Sequence, residues 1–221
     1  MPSELSLPES LPAEPMPLFQ EWFKEALARR TQPNPDAMVV ATAASNGDPS
    51  ARVLLCKRVV VDPGYIVFFT NYQSRKGREL AARPRAAAVF HWDALHRQVR
   101  IEGPVVRSPA GESDEYFASR SLDSRIAACA SDQSEPLASR ETLRQRVREV
   151  ADRLGIAAGA TSGTVPRPPH WGGNRLWVER IELWMEGANR VHDRAVWTRQ
   201  LRPAGADAFT GGPWLSTRLN P

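Results

Sequence analysis

Apolar residues recur at helical spacing near the start of the chain and then give way to short apolar runs. Within residues 17–29 the apolar positions recur with the period of an α-helix, which predicts an amphipathic helix there. These positions are Leu18, Phe19, Trp22, Phe23, Ala26 and Leu27. Residues 1–16 are rich in Pro, Ser and Glu, so we expect a loose arm ahead of this helix. Residues 31–35 interrupt the pattern after it.

From residue 37 onward, short apolar runs alternate with turn residues. The runs predict strands at 37–44, 51–61, 65–70, 86–92 and 98–106. Asn46-Gly47 is a hairpin signal between the first two strands, and Asp62-Pro63-Gly64 turns the chain before the third. A meander with such short connections is typical of an antiparallel barrel or sandwich.

Helical and strand patterns alternate in the rest of the chain. Ser74 is expected to cap a short helix through Leu80, and further helices are predicted at 112–120 and 139–154. Residues 155–163 are rich in Gly, Ala, Thr and Ser and are expected to form a flexible loop. The last predicted strands are 176–184, 190–198 and a closing strand within 214–221. Together these elements predict one domain over 17–221.

Composition excludes several classes of protein. The chain has 221 residues, of which 42% are hydrophobic and 24% charged, as expected of a globular protein with a core. A formal net charge of +4 is too small for a nucleic-acid-binding stripe. No apolar run approaches the roughly 20 residues of a membrane span, and the N-terminus lacks signal-peptide features. We therefore expect a cytoplasmic protein.

Cysteine and histidine spacing gives no sign of a metal centre. Cys56 and Cys129 are the only cysteines, and we expect reduced thiols. The four histidines lack ligand spacing, and no HExxH or CxxC motif is present. We therefore expect no structural or catalytic metal.

Two basic clusters are candidates for binding anions. If residues 190–194 form a strand, Arg190, His192 and Arg194 lie on one face and form an anion site. Arg75 and Lys76 follow Ser74 at a predicted helix start, where free N–H groups favour a phosphate. Two such sites suggest two phosphorylated molecules, a cofactor and a substrate. The alternative is solvated surface charge.

Other polar residues form less specific patterns. Arg52 and Lys57 would lie on opposite faces of a regular strand, one towards each of two ligands, or they are strand-edge charges. Tyr116, Arg120 and Ser124 would share a face of a helix continuing past Arg120 and could grip a phosphate, or form an ordinary polar face. No catalytic triad, carboxylate pair or Walker loop is evident, which favours chemistry carried by a cofactor.

From about residue 11 to the end, the chain resembles the pyridoxine/pyridoxamine 5′-phosphate oxidase family. The matching segments in the first half are Asp36-Ala37-Met38-Val39-Val40-Ala41-Thr42, Arg52-Val53-Leu54-Leu55-Cys56-Lys57, Phe69-Thr70-Asn71, Ser74-Arg75-Lys76-Gly77 and Arg97-Gln98-Val99-Arg100. Those in the second half are Tyr116-Phe117-Ala118-Ser119-Arg120, Gln133-Ser134, Pro166-Arg167-Pro168, Trp171-Gly172-Gly173, Arg190-Val191-His192-Asp193-Arg194 and Arg218-Leu219-Asn220-Pro221.

The resemblance implies an FMN-binding split barrel, mainly β with peripheral α-helices and antiparallel Greek-key connections. It also implies a homodimer with FMN at the subunit interface. The residues that resemble the family's FMN contacts are Arg52, Val53, Leu54, Leu55, Phe69, Thr70, Arg75, Lys76, Gln98, Gln133, Ser134, Trp184 and Arg194. Lys57, Tyr116, Arg120 and Ser124 resemble the clamp on the substrate phosphate. Arg190 and His192 resemble the catalytic pair over the substrate's pyridine ring.

The implied reaction is oxidation of pyridoxamine and pyridoxine 5′-phosphates to pyridoxal 5′-phosphate. In the family the substrate C4′ carbon gives a hydride to flavin N5, and O₂ reoxidises the flavin to yield H₂O₂. Two alternatives use the same flavin site. One is a related flavin oxidase of another pathway, such as phenazine biosynthesis, and the other is a non-enzymatic flavin- or pyridoxal-phosphate-binding module.

The chain departs from the family pattern around the substrate. Arg125 and Cys129 stand where the family usually has Gln and Trp, and Met185 and Glu186 change the usual Trp-Gln-Gly motif after Trp184. The arm lacks the Arg-x-x-Tyr segment of many members, and the 155–163 loop is longer than usual. We expect these changes to affect the substrate pocket more than flavin binding.

Overall fold

The computed structural model describes residues 6–221, in which antiparallel strands predominate. The strands are β1 (Ala37–Ala43), β2 (Pro49–Leu55), β3 (Arg58–Val60), β4 (Tyr65–Asn71), β5 (Arg85–Trp92), β6 (Arg97–Arg107), β7 (Trp171–Trp177), β8 (Arg180–Met185), β9 (Asp193–Thr198), β10 (Leu201–Pro203), β11 (Phe209–Gly211) and β12 (Leu215–Arg218). The helices are α1 (Met16–Arg29), α2 (Arg75–Ala82), α3 (Ala110–Ser119), α4 (Leu122–Ala130) and α5 (Arg140–Arg153).

The long strand β6 joins two parts of the sheet. The main path runs β12-β9-β8-β6-β5-β1-β2, and every pair in it is antiparallel. One edge of β6 pairs with β5. Its other edge pairs with β8 over 97–102 and then with β7 over 105–107. Because β7 leads on to β4 and β3, the sheet divides along β6 and curls into a split barrel.

The principal core lies between α1 and the barrel. Phe19 and Phe23 of α1 pack on Phe90, with ring centroids 5.4 and 5.9 Å away. Trp92 is fully buried beside them, and its indole N–H donates to the Pro35 carbonyl at 2.8 Å. A second core joins α3, α4 and α5 to the Trp171 end of β7. The helical spacing in 17–29 thus correctly predicted the buried face of α1 at Phe19, Trp22, Phe23 and Ala26, whereas Leu27 is 40% exposed.

Two predicted strands are each divided in the structure. Residues 51–61 form β2 and β3, because the backbone changes partners between them: the Cys56 N–H donates to Asp36 and the Lys57 N–H donates to Val67. Residues 176–184 likewise contain the end of β7 and most of β8, with a break at 178–179. The Asn46-Gly47 turn connects β1 and β2 as predicted.

Two further expectations need correction, and one hairpin was not predicted. Arg120 has an extended backbone and separates α3 from α4, so Tyr116, Arg120 and Ser124 do not share one helix. The predicted strand 190–198 begins only at Asp193, and residues 188–190 form a short 3₁₀ turn instead. The β10–β11 hairpin was not predicted, whereas β12 closes the sheet against β9 within the predicted segment 214–221.

Part of the N-terminal arm is in contact with the barrel. Of the arm predicted over 1–16, residues 1–5 lie outside the described residues. Residues 6–15 have no regular secondary structure, yet Leu7 is buried and its N–H donates to Asp193 Oδ2 at 2.8 Å. The Pro12 carbonyl accepts a bond from the Trp197 indole, also at 2.8 Å. Among residues 6–221, no helix is both long and apolar enough to cross a bilayer.

Candidate functional site

Lys76 lies buried at the start of α2, where three side-chain oxygen atoms surround its ammonium group. We call Lys76 and these three neighbours, Thr70, Ser74 and Gln133, the cradle. Ser74 caps the helix by accepting from the Gly77 N–H. The Lys76 ammonium donates to Thr70 Oγ1 at 2.9 Å, Gln133 Oε1 at 2.7 Å and Ser74 Oγ at 3.2 Å. Burial, aided by the positive charge of Arg52, lowers the pKa of Lys76 to about 8. This amine therefore lacks the solvation of an ordinary lysine and gains most from an added anion.

A buried carboxylate, Glu79, holds two of the expected cofactor cations. Arg75 Nε donates to Glu79 Oε1 at 2.9 Å, and Arg52 Nη2 lies 3.3 Å from Oε2. Burial alone would raise the pKa of Glu79, but hydrogen bonds from Ser50, Thr42 and Arg75 and the charge of Arg52 hold it at about 2. Glu79 therefore stays ionised and fixes both guanidinium groups.

A cavity of about 300 Å³ opens beside this cradle. It is lined by Val53, Leu54, Leu55, Lys57, Phe69, Thr70, Asn71, Tyr116, Arg120, Gln133 and Trp171. Three of the four residues expected to clamp a substrate phosphate are thus brought together with several expected cofactor contacts. Larger cavities of about 650 and 680 Å³ lie at 198–215 and 27–36, away from every predicted site residue.

Arg120 is held against an aromatic stack in this cavity. The rings of Phe69, Tyr116 and Trp171 are nearly parallel, with centroids 4.0 Å apart for Phe69–Tyr116 and 5.5 Å for Phe69–Trp171. The Arg120 guanidinium carbon lies 4.9 Å from the Trp171 ring centre. Its Nη1 is buried and has no hydrogen-bond partner within residues 6–221. Burial lowers the pKa of this guanidinium, which remains a cation with an unused donor.

Lys57 and the exposed face of β2 lie beside the same cavity. Lys57 Nζ is 2.7 Å from Asp36 Oδ2. Val53 is 63% exposed although apolar, and it lies on the terminal strand of the main sheet path. Arg52 turns back towards Val40 and Thr42, with Nη1 2.6 Å from Thr42 Oγ1. An exposed apolar strand flanked by cations suits a flat anionic molecule.

The remaining expected site residues form a second group. Gln98, Trp184 and Arg194 are register neighbours across β6, β8 and β9. The His192 ring packs on Trp184 with centroids 4.7 Å apart. Arg194 donates to the buried Glu182 carboxylate from Nε at 3.0 Å and from Nη2 at 2.8 Å. Arg190 is exposed and, like His192, precedes the strand, so the predicted alternation over 190–194 is wrong for these two residues.

The residues around the cradle and cavity form the first group, and Gln98, Trp184, Arg190, His192 and Arg194 form the second. A single copy of the chain does not bring these two groups together. Arg52 on β2 and Trp184 on β8 are separated by β1, β5 and β6. Four strand steps correspond to about 19 Å along the sheet. Within residues 6–221, no hydrogen bond or ion pair joins a member of one group to a member of the other.

Ser124, Ser134 and the departures from the family pattern lie apart from the cavity lining. Ser124 Oγ accepts from Ser121 Oγ at 2.7 Å in the first turn of α4, and Ser134 is exposed with a positive φ of 77°. On the same helix, Arg125 donates to the Gly163 carbonyl at 3.3 Å and Cys129 faces Pro166. Met185 is buried in the principal core.

Sequence reasoning gave no role to Glu79, Glu182 or Trp171. Glu79 is four residues after Arg75, a helical ion-pair spacing that could have identified it. Trp171 stood in a quoted motif, but its contact with Arg120 joins positions 51 residues apart in the chain. The sequence carried no local signal for that contact or for the pairing of Glu182 with Arg194.

Two family models match this chain. A family model described as pyridoxamine 5′-phosphate oxidase matches residues 23–153. A second, described as pyridoxine 5′-phosphate oxidase C-terminal dimerisation region, matches residues 171–221. The first model covers the cradle and all of the cavity lining except Trp171, and the second covers Trp171 and the group around Trp184 and Arg194.

Curated relatives match over nearly their whole length. Proteins named pyridoxine/pyridoxamine 5′-phosphate oxidase from Burkholderia vietnamiensis and Gluconobacter oxydans are 50% and 48% identical. The alignments cover 99% and 96% of this chain and 95% and 96% of those proteins.

Solved structures share the fold. PhzG from Burkholderia lata 383, in complex with tetrahydrophenazine-1-carboxylic acid, is 32% identical with a TM-score of 0.79, covering 95% of this chain and 94% of that one. A pyridoxamine 5′-phosphate oxidase-related, FMN binding protein from Nostoc punctiforme has a TM-score of 0.67 at 16% identity, covering 92% and 97% of the two chains. The mainly β, antiparallel split barrel with peripheral helices is thereby confirmed, and the chain belongs to the pyridoxamine 5′-phosphate oxidase family.

Proposed function

We propose that this protein is an FMN-dependent oxidase that converts pyridoxamine and pyridoxine 5′-phosphates to pyridoxal 5′-phosphate, with O₂ as acceptor and H₂O₂ as product. The observation that carries the proposal is the buried, unpaired Nη1 of Arg120, in a cavity that Lys57 and Tyr116 also line. A buried guanidinium donor without a partner is costly, and a phosphate oxygen satisfies it. A phosphorylated substrate is therefore favoured over a neutral one.

The residues around the cradle fit FMN. Its phosphate would bind Lys76 and Arg75 at the start of α2, where the amine is buried and the guanidinium is held by Glu79. Its flat ring system would lie along the exposed face of β2 at Val53 and Leu55. When bound, FMN supplies the two-electron acceptor for oxidation at the substrate's C4′ carbon.

The protein's own residues bind and orient the substrate. Arg120 and Lys57 would hold its phosphate, with the Tyr116 hydroxyl as a further donor. Ser124 Oγ accepts from Ser121, so its own hydroxyl hydrogen is left to donate to the same phosphate. Arg190 and His192 would cover the pyridine ring and fix the reacting carbon, which is a proximity effect.

The two groups of residues would meet across a homodimer. The dimerisation region at 171–221 contains Trp184, Arg190, His192 and Arg194. In the proposed assembly these side chains come from the partner subunit and complete the site built on β2, β4 and α2. A complete site would then exist only in the dimer.

A flavin oxidase acting on a phenazine precursor is the second candidate, because the chain shares 32% identity with PhzG. The stacked rings of Phe69, Tyr116 and Trp171 would suit an aromatic substrate of either kind. The tetrahydrophenazine-1-carboxylic acid bound to PhzG carries a carboxylate that could also pair with Arg120, so a direct comparison of turnover with a phosphate ester and with a phenazine carboxylate separates the candidates. A non-enzymatic binding module would bind flavin or pyridoxal phosphate and release no peroxide.

Peroxide release by the purified protein tests the proposal. We expect turnover of pyridoxamine and pyridoxine 5′-phosphates, and much weaker turnover of dephosphorylated pyridoxamine. Arg120→Ala should raise KM at least about tenfold with a smaller change in kcat, since a charge-assisted bond contributes about 1.5–3 kcal/mol. Arg144→Ala is the matched control, because Arg144 is exposed on α5. Equal rates with pyridoxamine, or an Arg120→Ala enzyme like the control, would refute the phosphate clamp.

A further inference from the structure

We propose that the backbone N–H of Gly187 fixes His192 as the tautomer with its proton on Nε2, so that Gly187 is a positioning residue for the site. The inference rests on the proposed function only in placing His192 beside the substrate. The tautomer itself follows from contacts within the chain.

The decisive contact is a hydrogen bond into the imidazole ring. The Gly187 N–H donates to His192 Nδ1 at 3.2 Å. A peptide N–H cannot accept, so Nδ1 must offer its lone pair and carry no proton. A neutral ring then has its proton on Nε2, and an imidazolium cannot form this bond at all.

A second contact holds the ring in place. His192 packs on Trp184 with an interplanar angle of 41°. Trp184 lies on β8, three residues before Gly187. The ring is thus fixed by an aromatic surface and by a backbone donor from the same short segment, which restricts both its position and its rotation.

The connecting turn depends on glycine at position 187. The Val191 N–H donates back to the Ala188 carbonyl at 3.0 Å, and Asn189 and Arg190 have left-handed φ values of 54° and 66°. This tight reversal brings Val191 so close that a Cβ on Gly187 would lie 1.7 Å from its carbonyl oxygen. Any side chain at 187 must therefore displace the backbone that carries His192.

The consequence is that His192 presents a hydrogen-bond donor to the site, and not an acceptor. Nε2 makes no hydrogen bond within residues 6–221, so its N–H is available to a ligand. His192 would donate to an acceptor on the substrate, such as a phenolic oxygen. In this tautomer and position it does not act as a base through Nε2.

Nitrogen-15 NMR of histidine-labelled full-length protein tests the inference directly. Spectra at about pH 8, above the ordinary histidine pKa near 6.5, should show a protonated Nε2 and an unprotonated Nδ1 for His192. His192→Gln identifies the signal by its loss. A protonated Nδ1, or a ring that exchanges equally between tautomers, would overturn the proposal. The NMR result does not depend on turnover, so the tautomer assignment holds even if the proposed reaction is not observed.

Variants then connect the tautomer to the chemistry. Gly187→Ala should abolish the single-tautomer signal and lower kcat at least tenfold when measured at saturating FMN. His192→Gln should retain more kcat than His192→Asn, because only the longer amide places a donor near the Nε2 position. If Gly187→Ala does not fold, the wild-type spectrum and the two amide variants still decide the question. Equal kcat for the His192→Gln and His192→Asn enzymes would refute the proposed donor role.

Discussion

The buried amine of Lys76 should make FMN affinity depend on pH in a range where flavin phosphate itself does not titrate. Burial lowers the pKa of Lys76 to about 8, the neighbouring charge of Arg52 adds to this effect, and Glu79 opposes it. The cationic amine binds phosphate, so above this pKa the binding reaction must take up a proton. A phosphate monoester has its second pKa near 6 and is already a dianion throughout this range.

The expected magnitude follows from the fraction of amine that is protonated. With a pKa of about 8, roughly nine-tenths of Lys76 is charged at pH 7 and about one-tenth at pH 9. The apparent Kd for FMN should therefore increase about tenfold between these pH values, which corresponds to about 1.4 kcal/mol. An ordinary exposed lysine would give almost no change over the same interval, because its pKa is near 10.4.

Quenching of FMN fluorescence during titration with apoprotein measures this effect. Riboflavin is the matched ligand control, because it lacks the phosphate and its affinity should not follow the titration of Lys76. Lys76→Arg is the protein control, since a guanidinium stays charged at both pH values. A constant FMN affinity from pH 7 to 9, or an identical pH dependence for riboflavin, would refute the assignment of Lys76 to the phosphate.

Three other predictions concern the cradle and the assembly. Glu79→Gln should lower the unfolding free energy in urea by about 1.5–3 kcal/mol at pH 7. The depressed pKa of about 2 means that this difference is fully present above pH 4.5 and shrinks as the pH falls towards 2; a constant difference would contradict it. Gly77→Ala should lose FMN, because its Cβ would lie 2.1 Å from the Tyr72 carbonyl, whereas Gly111→Ala, with open space around it, should retain FMN. Sedimentation should show a flavin-containing dimer at micromolar concentration, and a monomer that keeps its flavin would exclude the composite site.

Sequence patterns predicted the elements well wherever one strand keeps the same neighbours. The runs at 37–44, 65–70 and 86–92 correspond to β1, β4 and β5 within one residue at each end. The pattern failed where the backbone changes partners, as at Cys56 and Lys57, because apolar character continues through the change. Hydrophobicity reports burial, and it does not report which strand supplies the hydrogen bonds.

The site was predicted less completely than the fold. Lys57, Tyr116 and Arg120 line one cavity. This arrangement results from the extended backbone of Arg120 between two helices, and not from the continuous helix that the sequence predicted. The turn before His192 was missed because Asn189 and Arg190 both adopt left-handed backbone conformations, which asparagine favours but arginine rarely adopts. The roles assigned to these residues remain predictions, which the kinetic and NMR experiments address.

Both groups of the proposed site use the same electrostatic arrangement. A buried carboxylate, Glu79 in one and Glu182 in the other, holds arginines that would otherwise be mobile and hydrated. A charge in such a position is stable only when it is paired, so each glutamate fixes its guanidinium partners and is fixed by them. The net attraction for an anion must then come from a cation that no carboxylate neutralises. Lys76 forms no ion pair within residues 6–221 and contacts only neutral oxygen atoms. For this reason the protonation of Lys76, more than the number of nearby arginines, should control the affinity for a phosphate.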